Sequence, residues 1–263
     1  MKPSTPKSAH KGRGAVSAKD GRFVTRPVDY DPDEAAARES VRPETLIRAM
    51  RAGKIISSNT SPDIPFNRSI NPYQGCEHGC IYCYARPSHS YLDLSPGLDF
   101  ETRIFYKPNA AERLLAEWEK PGYVCEAITI GANTDPYQPA EKQFAVTRRL
   151  LKLFARHRHP VNLITKSSLI ERDIDLLSEL ASRKLCSVAI SMPSMDRALK
   201  RIMEPRVPSA ESRLASIGKL QANGIPVSVL VAPVIPAIND HEIESILERV
   251  AAAGAHQAHY IFL

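Results

Sequence analysis

The chain has 263 residues, 43% hydrophobic and 24% charged, a balance that excludes wholesale disorder. It has no apolar run of the roughly 18 residues a membrane helix needs, and no apolar segment follows the basic N-terminus as a secretory signal requires. The net charge of +6 is unevenly placed: residues 1–26 hold seven basic side chains and one acid, leaving 28 of each sign in the remainder.

In chain order, residues 1–42 are rich in Lys, Arg, Ser, Pro and Gly and have no sustained period. They are expected to form a flexible basic leader, with residues 43–263 as the folded domain. Such a leader suits contact with nucleic acid through counterion release. The stretch "RPETLIRAMRAGKI" (42–55) is expected as a short helix, followed by extended, Pro-punctuated chain to Gly75. Next comes "NPYQGCEHGCIYCYARPSH" (71–89), which puts Cys76, Cys80 and Cys83 within eight positions. An odd total of five cysteines, three of them clustered, fits a reduced cytoplasmic chain better than a disulfide framework.

A repeating rhythm follows. Nearly continuous apolar runs begin at 127 ("AITIG"), 161 ("VNLIT"), 187 ("SVAIS"), 227 ("VSVLV") and 259 ("HYIFL"), and each reads as a strand covered on both faces. Between them lie helical patterns. One runs from Ile170 to Leu180; the next has Ser209 as N-cap and Gly224 as stop. The last has Asp240 as cap, Ile243, Ile246, Leu247 and Val250 on one face, and Gly254 as stop. With a first strand around "NRSIN" (67–71), this makes six parallel strands joined by right-handed crossovers. The period alone leaves open a doubly wound sheet or a partial barrel. In both, ligands gather at the C-terminal strand ends. Those ends hold Asn71–Cys83, "GANTDPYQP" (131–139), Lys166 and Ser167, Ser191 with "MPSMD", and Ala232 with "PVIPAIND". The chain stops on its sixth strand without a covering helix, which suggests a missing C-terminal part.

Three thiols in a Gly-containing loop suit a soft metal centre, since Gly75 and Gly79 tolerate turns other residues resist. Three thiolates leave one iron of a [4Fe–4S] cluster without a protein ligand. The competing readings are packed structural thiols and a Cys₃His zinc site with His78 or His89. Cys125 and Cys186, beside predicted strand starts, are expected in the core.

C-x3-C-x-aromatic-C, with Tyr82 as the aromatic, resembles the radical S-adenosylmethionine (SAM) superfamily. Together with "GANTDPYQP" and "APVIPAIND", it is similar to the spore photoproduct lyase-like branch over residues 55–263. The resemblance implies a partial (β/α)6 barrel of parallel strands and two cofactors, a [4Fe–4S] cluster on Cys76, Cys80 and Cys83, and SAM on the fourth iron. It implies reductive cleavage of SAM and hydrogen-atom abstraction by the resulting 5′-deoxyadenosyl radical. A flavodoxin- or ferredoxin-type electron donor is then needed, and the substrate leans towards nucleic acid. It further implies that Asn133, Thr134 and Asp135 support the SAM amino group, while Lys166, Ser167 and Ser191 meet its carboxylate and ribose. Tyr82 and Ala232 would face the adenine. The alternative is a non-catalytic zinc- or cluster-stabilised nucleic-acid-binding protein. Two departures stand out. Met192 and Pro193 occupy positions that relatives tend to fill with hydroxyl-bearing residues, and no cysteine lies near Ala132, where the lyase carries its hydrogen-atom donor.

Overall fold

The structure is a computed structural model and describes residues 12–17, 19, 44–61 and 64–263. Six parallel strands form its frame: β1 (Arg68–Ile70), β2 (Ile128–Ile130), β3 (Val161–Thr165), β4 (Cys186–Ser191), β5 (Val227–Val234) and β6 (Gln257–Phe262). They neighbour one another in strict chain order, and the antiparallel pair Ser57–Ser58 extends the sheet beyond β1. A doubly wound sheet would reverse its order part-way. Sequential order without reversal makes this a curling, partial (β/α)6 barrel, as the sequence resemblance implied.

The helices connecting successive strands are α1 (Ala110–Trp118), α2 (Val146–His157), α3 (Ile174–Ser182), α4 (Ala210–Ala222) and α5 (Ile243–Ala252). They pack side by side around the outside, α1 on α2, α2 on α3 and α4 on α5, with α4 also against the 3₁₀ turn Ser168–Asp173. The core lies between sheet and helices, where Leu163, Val188, Ile190, Val227 and Val229 meet Leu150, Leu177, Ile217 and Ile246. The opposite face of the same strands is only half buried and carries Asn162, Ile164, Ser187, Ala189, Ser228 and Leu230. The expectation of strands covered on both faces is therefore corrected. Helices cover one face, and the other lines an open interior.

Local signals explain the helix ends. Ser209 accepts from Ser212 N, and Gly224 takes φ +70° past α4. Asp240 does not cap α5; it begins the 3₁₀ turn Asp240–Glu242, and α5 starts without a side-chain cap. Leu247, expected on the buried face of α5, is exposed.

The stretch expected as a helix at 42–55 instead contains the strand Leu46–Ala49, which pairs in parallel with Arg103–Tyr106. That second strand pairs antiparallel with Tyr73–Gln74, so this small sheet buttresses the start of the cysteine loop. Residues 12–17, expected in the flexible leader, pack on the domain; most of that leader lies outside the described residues. Cys186 is buried as expected, whereas Cys125 is exposed and not in the core. No helix among the described residues is long and apolar enough to cross a membrane.

Leu163 is fully buried at the centre of this core, while Tyr260 on β6 is 64% exposed. Leu163→Ala is expected to cost about 2–5 kcal/mol and Tyr260→Ala less than about 0.5 kcal/mol, read as shifts of the urea midpoint.

Candidate active site

The cysteine loop leaves β1 at its C-terminal end. Asn71 takes the first turn: its Oδ1 accepts from Asn133 N (2.8 Å) and Thr134 N (3.3 Å), tying the ends of β1 and β2 together. Gly75 and Gly79 both adopt positive φ, at +78° and +68°. A Cβ at Gly75 would lie 2.9 Å from Phe100 O, and one at Gly79 2.9 Å from Glu101 Oε2, so both turns need glycine. Gln138, fully buried, donates from Nε2 to Gly75 O (3.0 Å) and accepts Glu77 N at Oε1 (3.1 Å), bracketing Cys76. Arg86 donates from Nη2 (2.8 Å) and Nε (3.2 Å) to Cys80 O.

Cys76, Cys80 and Cys83 are free thiols, the first two buried and the third half-buried. Burial pushes all three thiols up, Cys80 to about 12, with Glu204 adding to the rise there. Thiols so placed stay protonated near neutrality unless a metal takes the proton's place. The donor set fits an iron–sulfur cluster: three soft donors on a glycine-hinged loop at the mouth of a barrel. His89, one of the two histidines weighed for zinc, holds its Nε2 2.9 Å from Arg103 O and packs edge-on against Phe100.

The other predicted residues divide into two groups. Lys166, Ser191 and Tyr82 converge: Lys166 Nζ lies 2.5 Å from Ser191 Oγ, 3.3 Å from Glu204 Oε1 and 5.6 Å from the Tyr82 ring centroid. Ser191 Oγ also reaches Ala232 O at 3.4 Å, which brings the end of β5 into the cluster of groups. The second group has its side chains committed to the scaffold. Thr134 Oγ1 donates to Tyr73 O (2.9 Å), and Ser167 Oγ caps the turn Ser168–Asp173 by accepting Leu169 N (3.2 Å). The Asp135 carboxylate accepts from Thr165 Oγ1 (2.7 Å), Lys166 N (2.7 Å) and Tyr137 N (2.8 Å). Asn133 remains exposed.

Glu204 was not singled out in the sequence. It is buried, accepts from Arg213 Nη2 (2.5 Å) and from the Tyr82 hydroxyl, and faces Lys166. Burial works against its ionisation, yet Arg213 and Lys166 outweigh that and hold its pKa down at about 2. Arg213, also buried, donates from Nη1 to Ser191 O (2.7 Å), so the pair braces the end of β4. The Met192–Pro193 departure is structural: Met192 is fully buried and Pro193 O accepts Asn239 Nδ2 at 2.7 Å.

The family model of the radical SAM superfamily matches residues 70–250. The chain belongs to the radical SAM superfamily. The superfamily's cofactors are SAM and a [4Fe–4S] cluster, matching the soft-donor loop described above. An uncharacterized protein of Mycobacterium tuberculosis is 40% identical over 194 residues, 73% of this chain and 57% of that one. The chain thus spans little more than half the length of that relative. A radical SAM Nalpha-GlyT isomerase of Pseudomonas phage M6 is 26% identical over 188 residues, covering 70% of this chain and 36% of the phage protein. Among solved structures, spore photoproduct lyase with bound AdoMet and dinucleoside spore photoproduct superposes with a TM-score of 0.63 at 15% identity. That match covers 91% of this chain and 67% of the lyase, and it shows a shared fold.

Glu204 carries a pH signature. Its ordinary pKa of 4.5 falls to about 2 on folding, so its contribution is complete above pH 4.5 and is lost as pH drops towards 2. Glu204→Gln, which leaves Arg213 buried without its counter-charge, is expected to cost roughly 3–5 kcal/mol near neutrality. The gap to the parent chain should narrow between pH 4.5 and 2 in urea titrations.

Proposed function

We propose that this chain is the catalytic core of a radical SAM enzyme in which Cys76, Cys80 and Cys83 hold the cluster and the Lys166–Ser191 pair receives the SAM carboxylate. The observation that carries this reading is the convergence of Cys80, Tyr82, Lys166, Ser191 and Glu204 at the C-terminal ends of β1, β3 and β4. A [4Fe–4S] cluster held there by Cys76, Cys80 and Cys83 would supply the electron for reductive cleavage of SAM. The residues of this chain do the rest.

Lys166 presents an ammonium held by Ser191 and Glu204, a ready donor to a carboxylate. Glu204 and Arg213 neutralise one another behind it, so the incoming anion meets Lys166 without an uncompensated carboxylate beside it. Tyr82, hydrogen-bonded through its hydroxyl to Glu204, presents its ring beside Lys166 as an apolar wall for adenine. Ala232, half-buried at the end of β5, leaves room for the same base. The side chains of Thr134, Asp135 and Ser167 hold the loops in place, and the amino group falls to the backbone and side chain of exposed Asn133. Electrons come from a flavodoxin- or ferredoxin-type donor in the cytoplasm.

Anaerobically reconstituted protein should bind about four irons per chain. Alanine at Cys76, Cys80 or Cys83 should abolish the cluster; alanine at Cys125 or Cys186 should not. With reductant and SAM the protein should release 5′-deoxyadenosine, and Lys166→Ala should weaken SAM binding while leaving the iron content intact. A SAM-insensitive magnetic spectrum of the reduced cluster would count against SAM binding at the open iron.

Nucleic acid is the substrate class we favour. What supports this is the basic excess of the N-terminal 26 residues, beside a fold shared with a lyase that binds a dinucleoside. Spore photoproduct itself is a poor match. Its repair ends with delivery of a hydrogen atom to a substrate radical, a step suited to a thiol, and Gly131–Ala132–Asn133 carries none. Cys186 opens β4 at the opposite end of the barrel, and Cys125 precedes β2. Incubation of the reduced enzyme with SAM and the dinucleotide photoproduct should yield no dithymidine by chromatography. Turnover comparable to an authentic lyase would refute this.

A further inference from the structure

Residues 12–17 lie across the cysteine loop. Gly14 N donates to Glu101 Oε2 (3.1 Å) and Ala15 N to Glu101 Oε1 (2.8 Å). Arg13 donates from Nη1 to Glu101 O (2.8 Å) and from Nη2 to Thr45 Oγ1 (2.8 Å), and Ser17 O accepts Leu98 N (3.2 Å). Glu101 is fully buried and also accepts from Arg86 Nη2 at 2.6 Å. Arg86 in turn holds Cys80 O, so a continuous chain of hydrogen bonds runs from the strap amides through Glu101 and Arg86 to the backbone of Cys80.

The packing is backbone against backbone. A Cβ on Gly14 would fall 1.9 Å from Gly79 O and 3.1 Å from Ile81 Cγ2, and one on Gly97 would fall 2.1 Å from Ser17 O. The strap therefore touches the chain on both sides of Cys80, and at Gly14 and Gly97 the approach leaves no room for a Cβ. A buried carboxylate needs its full set of donors. The barrel supplies Glu101 with Arg86, and the strap supplies the two amides.

We propose that residues 12–17 are a working part of the cluster site: a strap that positions the 77–81 stretch, with Glu101 as the positioning residue through which it acts. This rests on the reading that Cys80 is a cluster ligand. It assigns a short piece of the basic N-terminal region to holding the cluster.

The test compares full-length reconstituted protein with Gly14→Val, with a deletion of residues 1–17, and with Cys80→Ala. Gly53→Val serves as control, since nothing lies within 4 Å of a Cβ there. Iron release to a ferrous chelator is followed by absorbance, with circular dichroism as the check on fold. Losing two hydrogen bonds to a buried carboxylate should speed iron release by roughly tenfold or more in both strap variants, with Gly53→Val unchanged. Release at the parental rate from both strap variants, while Cys80→Ala fails to hold a cluster, overturns the strap and leaves the ligand reading standing. A full cluster in Cys80→Ala overturns the ligand reading and the strap with it.

Discussion

A single buried carboxylate sets the mouth of this barrel. Asp135 sits in the turn after β2, yet three of its four closest polar neighbours belong to other stretches: the Thr165 hydroxyl, the Lys166 amide and His78, whose Nδ1 is 3.4 Å away. Burial opposes the charge on Asp135, and His78 with the surrounding donors more than compensates, so its pKa lies below the ordinary value. Because the Lys166 amide is one of those donors, the point from which the Lys166 side chain starts is fixed by the turn after a different strand. The cysteine loop is registered against the same turn through Gln138 and Asn71. The ends of three strands are thus tied into one constellation before any cofactor binds.

Charge burial recurs around this knot in one form. Glu101 with Arg86, Glu141 with Arg172 and Glu204 with Arg213 each place a fully or nearly fully buried carboxylate 2.5–2.6 Å from a guanidinium. Such pairs gain little over apolar packing because both ions give up water. Each planar guanidinium also donates to backbone carbonyls, Arg86 to Cys80 and Gly97, Arg172 to Glu141, Arg213 to Ser191 and Pro208, while Arg172 holds the Asp173 carboxylate as well. The pairs therefore fix where loops run, which a hydrophobic contact does less specifically.

The sequence made the frame legible because its signals are local. Apolar runs at regular spacing located the starts of β2 to β6 to within two residues, and Ser209 and Gly224 marked the ends of α4. The cysteine spacing stood out without any fold. What escaped depends on partners distant in the chain. Leu46–Ala49 is a strand because Arg103–Tyr106 lies beside it, some 57 positions on. Gln138, Glu101 and Glu204 are isolated polar residues whose roles arise through distant partners, Glu77 for Gln138 at 61 positions, Ala15 for Glu101 at 86 and Tyr82 for Glu204 at 122, and no periodicity announces them. Thr134, Asp135 and Ser167 stand just past strand ends, but position alone could not reveal that their polar atoms are committed to the scaffold.

The last strand carries a different consequence. β6 is bonded to β5 along one side and has no neighbour along the other among the described residues, and Tyr260, Ile261, Phe262 and Leu263 are 62–70% exposed. A bare strand edge offers its amides and carbonyls to whatever extended chain comes near. An extended strand laid along that side would complete these hydrogen bonds and cover Tyr260, Ile261, Phe262 and Leu263 together.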